Sequence, residues 1–177
     1  MVDGKSVDTS MGFTPLAGLM MGTRCGDIDP ALPSYLEKAT GQSTQEVVTM
    51  MNKESGFLGI SKASNDFRAV HELSEQGCEQ AKLALKMFAN RVIATIGSYA
   101  ATLNGVDVIT FTGGIGENSD YLRRTVCENL TYLGVELVAD SAQKVGRIST
   151  EQSRVVVKVI NTDEELMIAR DSYRLAS

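Results

Sequence analysis

The sequence predicts an α/β layer fold with parallel strands at its centre. Two short runs of apolar and β-branched residues, 106–111 and 154–160, have the composition of buried strands. Apolar residues recur at steps of three and four in the segments around these runs, as they do in helices with one buried face. Strands that alternate with helices along a chain usually join into a parallel sheet through right-handed crossovers.

The beginning of the chain is expected to form one short strand and then a long loop. Residues 5–9 alternate as a strand does, and the chain starts almost inside that strand, so the beginning looks cut. Residues 10–30 contain four glycines and two prolines and are too apolar for disorder, which favours a functional loop. Arg24 lies in this loop between Gly22 and Gly26. The alternative for Arg24 is a solvated or salt-bridged surface side chain.

Two helices are predicted after this loop. The first covers residues 31–40 and is ended by Gly41, since glycine accepts the left-handed conformation of a helix C-cap. The second follows a capping box at residues 43–46. Its apolar face is predicted to consist of Val47, Val48 and Met51. Residues 53–64, which include two glycines, are predicted to be a loop.

A third helix is predicted from Asp66, which can cap its N-terminus, to Gly77, which can end it. Arg68 lies in the first turn of this helix, where the helix dipole disfavours a positive charge. An arginine there is expected to have a counter-anion, either a carboxylate or a phosphate of a ligand. A capping role without any ligand is the alternative for Asp66.

The longest periodic segment, residues 79–103, predicts a helix that lies against the sheet. Asn104 and Gly105 are expected to end it. Its predicted buried stripe consists of Leu85, Phe88, Val92, Ile96, Tyr99 and Leu103.

The strand at residues 106–111 runs directly into a glycine-rich turn at residues 112–118. Asn118 and Ser119 then form an N-cap pair before a helical pattern. A strand, a glycine turn and a helix start point free backbone N–H groups at an anion, and glycine lets a phosphate or nucleotide ring approach the backbone. A tight turn without a ligand is the alternative. The glycine spacing is not that of the dinucleotide-binding fingerprint, which argues against a Rossmann-type protein.

The remaining segments complete the predicted alternation of strands and helices. Residues 135–138 are expected to be extended and residues 139–153 to be a polar loop. The strand at residues 154–160 is nearly all β-branched, as in a strand buried on both faces. Residues 162–165 are interpreted as a second capping box. The last helix would follow it through Leu166, Ile168, Ala169 and Tyr173.

Three polar segments follow the three predicted strands. They are the Arg24 loop, the glycine turn at residues 112–118, and residues 161–165. Ligands in α/β sheets bind outside the carboxyl ends of strands, so we expect these segments to share one edge of the sheet.

Composition excludes several classes of function. The net charge of −5 argues against nucleic-acid binding, since the sequence has no basic stripe that could replace the counterions of a nucleic acid. No apolar run has the length of a membrane span and no signal peptide is recognisable, so we expect a cytoplasmic protein without a membrane partner. The three cysteines have neither disulfide nor zinc-site spacing. The single histidine, His71, lies among polar residues and is expected to be a surface or structural residue.

Several of these segments together resemble the acetate kinase family. Residues 6–16, with residues 22–24 and 26–30, resemble a signature segment of that family. The segments 64–68, 111–118 and 161–165 match further family segments in the family's order, so the resemblance covers essentially the whole chain. Propionate kinases share much of this pattern, and a propionate kinase is therefore the alternative.

The resemblance implies a lobe of the actin-like ATPase superfamily (ribonuclease H-like), with a mixed sheet and flanking helices. The implied reaction is reversible transfer of the ATP γ-phosphoryl group to acetate, which gives acetyl phosphate and ADP and requires Mg²⁺. Arg24 would stabilise the transferred phosphoryl group, and Glu164 would hold Mg²⁺ directly or through water. The residues that would line the nucleoside side of the site are Asp66, Phe67, Arg68, Gly114, Ile115, Gly116, Glu117 and Asn118. The glycine turn would then contact adenine and ribose more than phosphate.

The resemblance also implies what this sequence lacks. The family's amino-terminal lobe carries a phosphate-binding segment, an acetate pocket, a catalytic aspartate and histidines, and none of these motifs appears in residues 1–177. We therefore expect residues 1–177 to be the carboxy-terminal lobe of an acetate kinase, incomplete at its start and inactive alone. The alternative is a non-catalytic module that binds nucleotide or forms a homodimer through this lobe.

Overall fold

The structure is a computed structural model that describes residues 1–142 and 145–176. It divides into two compact units, Met1–Asn104 and Gly105–Ser177. The helices described in the first unit are α1 (Leu32–Thr40), α2 (Thr44–Lys53), α3 (Gly56–Ser61), α4 (Phe67–Glu75) and α5 (Glu79–Thr102). The second unit contains β1 (Val108–Phe111), α6 (Gly113–Asn118), α7 (Asp120–Glu128), a 3-10 turn (Thr131–Leu133), β2 (Gly146–Arg147), β3 (Val156–Val159) and α8 (Glu164–Ala176).

The predicted strand at residues 5–9 does not form. The pairing that the structure shows there is a single bridge between Val2 and Lys5, around a turn in which Asp3 and Gly4 both have positive φ. Residues 1–9 are all exposed. Alternating residues become a strand only when a neighbouring strand accepts their backbone hydrogen bonds, so the sequence pattern alone was misleading. The irregular conformation predicted for residues 10–30 is confirmed.

The helix boundaries predicted from capping residues are confirmed for α1 and α2. Gly41 has φ 73° and its N–H donates to the Glu37 carbonyl, as a left-handed C-cap does. Ser43 and Glu46 form the reciprocal capping box at the start of α2. Val47 and Met51 are buried, while Val48 is exposed, so the buried face of α2 is narrower than predicted.

Helix α3 occupies part of the segment that was predicted to be a loop. Its N-terminal N–H groups are satisfied by carbonyls from an earlier part of the chain: Phe57 donates to Met21 and Leu58 donates to Gly22, both at 2.9 Å. The Phe57 side chain is buried. Tertiary contacts therefore stabilise a helix that its two glycines would disfavour in isolation.

Helix α5 packs against α3 and α4 and forms the core of the first unit with them. The rings of Phe57, Phe67 and Phe88 meet at centroid separations of 5.1 to 6.0 Å. The amino-terminal part of the predicted stripe, Leu85 and Phe88, is buried. The later part is half-buried: Val92, Ile96, Tyr99 and Leu103.

The second unit is built on a three-stranded mixed sheet in the order β1-β3-β2. Strands β1 and β3 are parallel, with Val108 opposite Val156 and Phe111 opposite Val159. This pairing confirms the prediction that the two apolar runs are adjacent parallel strands. The carboxyl ends of β1 and β3 therefore lie side by side, which places the segments that follow them close together.

Two strand predictions require correction. The segment 139–153 was predicted to be a polar loop, but it contains β2, which pairs antiparallel with β3. Residues 143 and 144 of this segment lie outside the described residues. Strand β3 is not buried on both faces in this unit, because Val157 and Val159 are buried while Lys158 is exposed. β-branched composition therefore predicted the strand correctly but not its burial.

The last helix begins one residue later than the predicted capping box requires. The Asp163 carboxylate accepts from the Leu166 N–H at 2.8 Å and so caps α8, while Thr162 makes other bonds. The predicted helix is confirmed, and the whole of α8 is exposed, including Leu166, Ile168 and Tyr173. Among the helices of the described residues, none is both long and apolar enough to span a membrane.

Candidate functional site

Arg24 is presented by a turn that is fixed through its backbone. The Met21 N–H donates to the Arg24 carbonyl at 3.0 Å and closes the turn. Both sides of the turn are bonded to the α2–α3 region: the Cys25 N–H donates to Met51, and the Ser55 N–H donates to Thr23. Arg24 thus projects from a rigid backbone although it lies in a region without helix or strand.

The Arg24 side chain is exposed, and its Nη1 atom lies 3.8 Å from the Met21 sulfur. Among the residues that the structure describes, none forms an ion pair with it at 4.0 Å or less. The salt-bridged form of the alternative is therefore not found in the described part of the chain, whereas its solvated form agrees with the exposed side chain. Its guanidinium donors make no ion pair with a described carboxylate, which suits the binding of an external anion.

The Arg24 turn lies against the segment that leads into α4. A Cβ added to Gly22 would lie 2.8 Å from the Asn65 carbonyl oxygen, so the two backbones are in direct contact. Asp66, the next residue, caps α4 by accepting from the Arg68 N–H at 2.8 Å. The structure therefore brings Arg24 and the Asp66–Arg68 segment into the same part of the first unit.

Arg68 finds its counter-anion within the chain. Its Nε and Nη2 atoms donate to the two carboxylate oxygens of Asp66 at 3.1 and 2.6 Å. The side-chain and backbone hydrogen bonds from Arg68 lower the pKa of Asp66 from 3.8 to about 2. Of the two predicted counter-anions for Arg68, a carboxylate or a ligand phosphate, the structure shows the carboxylate.

Phe67 belongs to the aromatic core of the first unit rather than to its surface. The exposed fraction of Phe67 is 8%, and its ring lies nearly parallel to that of His71 at a centroid distance of 6.4 Å. This packing is in keeping with a structural role for His71. A contact between Phe67 and a nucleotide stays a prediction.

The glycine segment after β1 is a short helix, α6, and not the open turn that the sequence indicated. Its first N–H, from Gly113, is bonded to the Glu117 carboxylate at 2.9 Å. The phosphate cradle first inferred from the pattern is therefore wrong for this N–H, whose acceptor comes from within the helix. Gly116 packs against the Phe111 backbone, whereas space beside Gly113 and Gly114 is open.

Glu117 connects the ends of the two parallel strands. The same oxygen, Oε1, also accepts from the Thr162 N–H at 2.8 Å and from the Thr162 hydroxyl at 3.0 Å. The backbone hydrogen bond from Thr162 is the main cause of a lowered pKa for Glu117. Thr162 follows β3, so this carboxylate joins the glycine segment after β1 to the segment that leads into α8.

A fully buried arginine holds the other end of α6. The exposed fraction of Arg123 is 1%, and its Nη1 donates to the carbonyls of Gly116 and Glu117 at 2.9 and 2.8 Å. Burial lowers the pKa of Arg123. Ser119 caps the following helix by accepting from the Leu122 N–H, as predicted. The C-terminal carbonyls of α6 are thus satisfied by a side chain of α7.

The predicted residues fall into two groups, one in each unit. Arg24 and the Asp66–Arg68 segment lie in the first unit, while Gly114, Ile115, Gly116, Glu117, Asn118 and Glu164 lie in the second. The Asn118 amide donates to the Gly114 carbonyl at 2.9 Å. Glu164 is exposed at the first position of α8. In the described residues, no group of three or more His, Cys, Asp or Glu side chains forms a metal-binding cluster.

Sequence reasoning missed two of the residues that shape the second group. Thr162 was interpreted as a helix cap, although its donors are used by Glu117. Arg123 received no role, although it lies directly after Leu122 within the buried stripe of α7. A positive charge within an apolar stripe was the available signal, because a buried arginine needs acceptors.

Comparison with known proteins identifies relatives over almost the whole chain. Residues 1–170 match the Acetokinase family. An acetate kinase from Clostridium botulinum (strain Langeland) is 53% identical over 99% of this chain, and a propionate kinase from Escherichia fergusonii is 52% identical over 98%. The chain covers 45% and 43% of these two relatives, so it spans less than half of their length.

The solved structures agree with the sequence relatives. The crystal structure of Porphyromonas gingivalis acetate kinase superposes with a TM-score of 0.93 and 40% identity, over 99% of this chain and 45% of that one. This likeness confirms the predicted fold, an actin-like ATPase lobe with a mixed sheet and flanking helices.

Proposed function

This chain belongs to the acetokinase family, and we propose that residues 1–177 form the carboxy-terminal lobe of an acetate kinase. The reaction is reversible transfer of the ATP γ-phosphoryl group to acetate, which gives acetyl phosphate and ADP. The observation that carries this proposal is the family match over residues 1–170, which includes all the predicted site segments. Since the reaction uses ATP, we also propose a cytoplasmic location.

Arg24 is the proposed catalytic residue of this lobe. Charge in a phosphoryl-transfer transition state is spread over three equatorial oxygens, which a guanidinium can clamp. The rigid backbone around Arg24 and its exposed side chain support this role, because catalysis by positioning requires a group that is held before the substrate binds. Arg24 would donate hydrogen bonds to the phosphoryl oxygens and leave proton positions unchanged.

The nucleoside contacts are proposed for each unit by itself: Asp66–Arg68 in the first unit and the glycine helix α6 in the second. Open space beside Gly113 and Gly114 supports this, because a flat ring can approach a backbone that carries no Cβ. Asp66 and Arg68 neutralise each other, so their part of the site offers hydrogen bonds rather than net charge. Phe67 would act by fixing the backbone of this segment.

Mg²⁺ is proposed to be held by Glu164. Magnesium in kinases is bound by one or two carboxylates together with substrate phosphates and waters, so a single exposed carboxylate fits the ion when nucleotide is present. Asp163 is used as the cap of α8, and Glu164 is the next carboxylate along the chain. The metal would supply charge neutralisation between the phosphates.

We expect the 177-residue chain to form no acetyl phosphate. Phosphoryl transfer is catalysed by positioning and charge stabilisation, and the motifs for acetate and for the phosphate chain are missing from this sequence. The test is a hydroxamate assay with ATP, Mg²⁺ and acetate, with the Porphyromonas gingivalis enzyme as a positive control. Turnover by the chain at a rate near that of the control would refute the expectation.

Two other functions are alternatives, and a particular observation supports the first of them. The 52% identity to a propionate kinase supports propionate as the acceptor, and a full-length form assayed with both acids would distinguish the two. A non-catalytic module that forms a homodimer is the second. Sedimentation of the chain, with and without ATP, would separate a dimerisation module from a lobe that binds nucleotide as a monomer.

A further inference from the structure

The Glu117 carboxylate is the meeting point of the two strand ends in the second unit. Its Oε1 atom accepts three hydrogen bonds, one from Gly113 after β1 and two from Thr162 after β3. The three donor–acceptor distances lie between 2.8 and 3.0 Å, within the range of good hydrogen bonds. One oxygen atom therefore ties together two segments that are 45 residues apart in the chain.

The helix that carries Glu117 is itself held at both ends. Its N-terminal N–H is bonded by Glu117, and its C-terminal carbonyls accept from the buried Arg123. Gly116 lies against the Phe111 backbone, which fixes the helix on β1. The α6 backbone that carries Glu117 is therefore fixed. The hydrogen bonds from Thr162 to Glu117 consequently set the position of the segment that follows β3.

The position of Thr162 determines where α8 begins. Asp163 caps the helix, and Glu164 is its first residue. We propose that Glu117 is a positioning residue, which holds Thr162 so that the Glu164 carboxylate is presented beside the glycine helix. This inference deepens and rests on the proposed function, in which a contact between Glu117 and the nucleotide stays a prediction.

The role depends on the reach of the side chain and on an acceptor oxygen. Glu117→Gln keeps both, whereas Glu117→Asp keeps the charge but shortens the side chain by one methylene. We therefore expect the Gln variant to lie closer to wild type than the Asp variant does, and the Asp variant to resemble Glu117→Ala. Thr162→Val removes one donor while leaving Glu117 intact. Glu128→Ala is the matched control, because Glu128 is an exposed glutamate of the same unit.

The first readout is amide hydrogen exchange by NMR in the full 177-residue chain. Exchange at Thr162 and Gly113 is expected to accelerate about tenfold in the Asp and Ala variants, since each amide loses its acceptor. Glu128→Ala should stay within about twofold of wild type, and the Gln variant should lose less protection than the Asp variant, because its neutral oxygen still accepts but more weakly than a carboxylate. Unchanged protection of Thr162 in Glu117→Asp would overturn the proposal.

The second readout is the ratio of ATP affinities measured with and without Mg²⁺. A purely structural role would change both affinities alike, whereas misplacement of Glu164 reduces mainly the affinity with Mg²⁺. We expect the ratio to fall about tenfold in Glu117→Asp and to be retained in Glu117→Gln. Faster exchange with an unchanged ratio would also overturn the positioning role.

If the proposed function is wrong, the two readouts give a result that differs from failure of the positioning role. If wild type binds no ATP, the proposed nucleotide-binding function is wrong, and the exchange comparison alone then decides whether Glu117 holds Thr162. Protection that is lost in the Asp variant and kept in the Gln variant would support that part of the proposal. Thr162→Val provides a further check, because loss of the hydroxyl should accelerate exchange at Thr162 less than Glu117→Ala does.

Discussion

Replacing Arg123 by methionine is expected to lower the free energy of unfolding by about 3 kcal/mol. Arg123 is fully buried, and its Nη1 satisfies the carbonyls of Gly116 and Glu117. Methionine fills similar volume but donates no hydrogen bond, so both acceptors lose a buried partner. The measurement is urea unfolding followed by circular dichroism, with wild type and variant compared at the same pH.

Arg124→Met is the matched control for this prediction. Arg124 donates to the Asp120 carboxylate at 2.7 Å and to the Ala139 carbonyl at 2.9 Å, but about a third of its side chain is exposed. Exposed ion pairs of this kind contribute less than about 1 kcal/mol. If the two substitutions cost the same free energy of unfolding, burial of Arg123 is not what stabilises the end of α6.

Replacing Gly56 by alanine is expected to cost about 3 kcal/mol and to disturb the turn that carries Arg24. Gly56 has φ 61°, a conformation that disfavours any side chain. An added Cβ would overlap the Met21 carbonyl oxygen and lie 2.8 Å from that of Arg24. Either α3 or the Arg24 turn must therefore move. Urea unfolding measures the cost, and NMR shifts at residues 21–25 report the displacement.

Gly41→Ala is the control that separates the steric clash of a Cβ added at Gly56 from the strain of the left-handed backbone conformation. Gly41 has a similar φ of 73°, but an added Cβ would meet no atom within 4 Å. Only the left-handed conformation is then penalised, at about 1 kcal/mol. Equal losses for the two alanine variants, with no shift changes at residues 21–25, would show that Gly56 does not support the Arg24 turn.

The features that the sequence predicted correctly are those encoded by neighbouring residues. The capping box of Ser43 and Glu46, the Gly41 C-cap and the Ser119 cap each satisfy backbone groups within a few positions of themselves. Local hydrogen bonds of this kind recur wherever the same residue types recur. The parallel pairing of β1 and β3 was predictable because both runs are β-branched and separated by helices.

The errors arose where a distant part of the chain decides the outcome. Helix α3 forms because carbonyls of Met21 and Gly22 accept its first N–H groups, which no local pattern reveals. Thr162 resembles a cap, but the Glu117 carboxylate after the other strand takes its donors. Residues 5–9 have strand character, yet each of them is exposed.

The candidate site was only partly accessible to residue-by-residue reasoning. Exposure and rigidity of Arg24 are consistent with the role that the family resemblance implied. The pattern around Gly113 suggested a phosphate cradle, because sequence alone does not show that Glu117 occupies that N–H. The family resemblance predicted the reaction, whereas the hydrogen bonds of Glu117 in the structure revealed the link between the carboxyl ends of β1 and β3.

The measurement that tests the account most directly is calorimetric titration of the folded 177-residue chain with ATP in the presence of Mg²⁺. We predict weak, saturable binding of one ATP per chain, reduced when Mg²⁺ is omitted and reduced again in Glu164→Gln. An Arg24→Ala variant should leave the fold unchanged, since the Arg24 side chain is exposed. Absence of binding heat from a chain that is folded by circular dichroism would contradict the assignment of these residues to an ATP site.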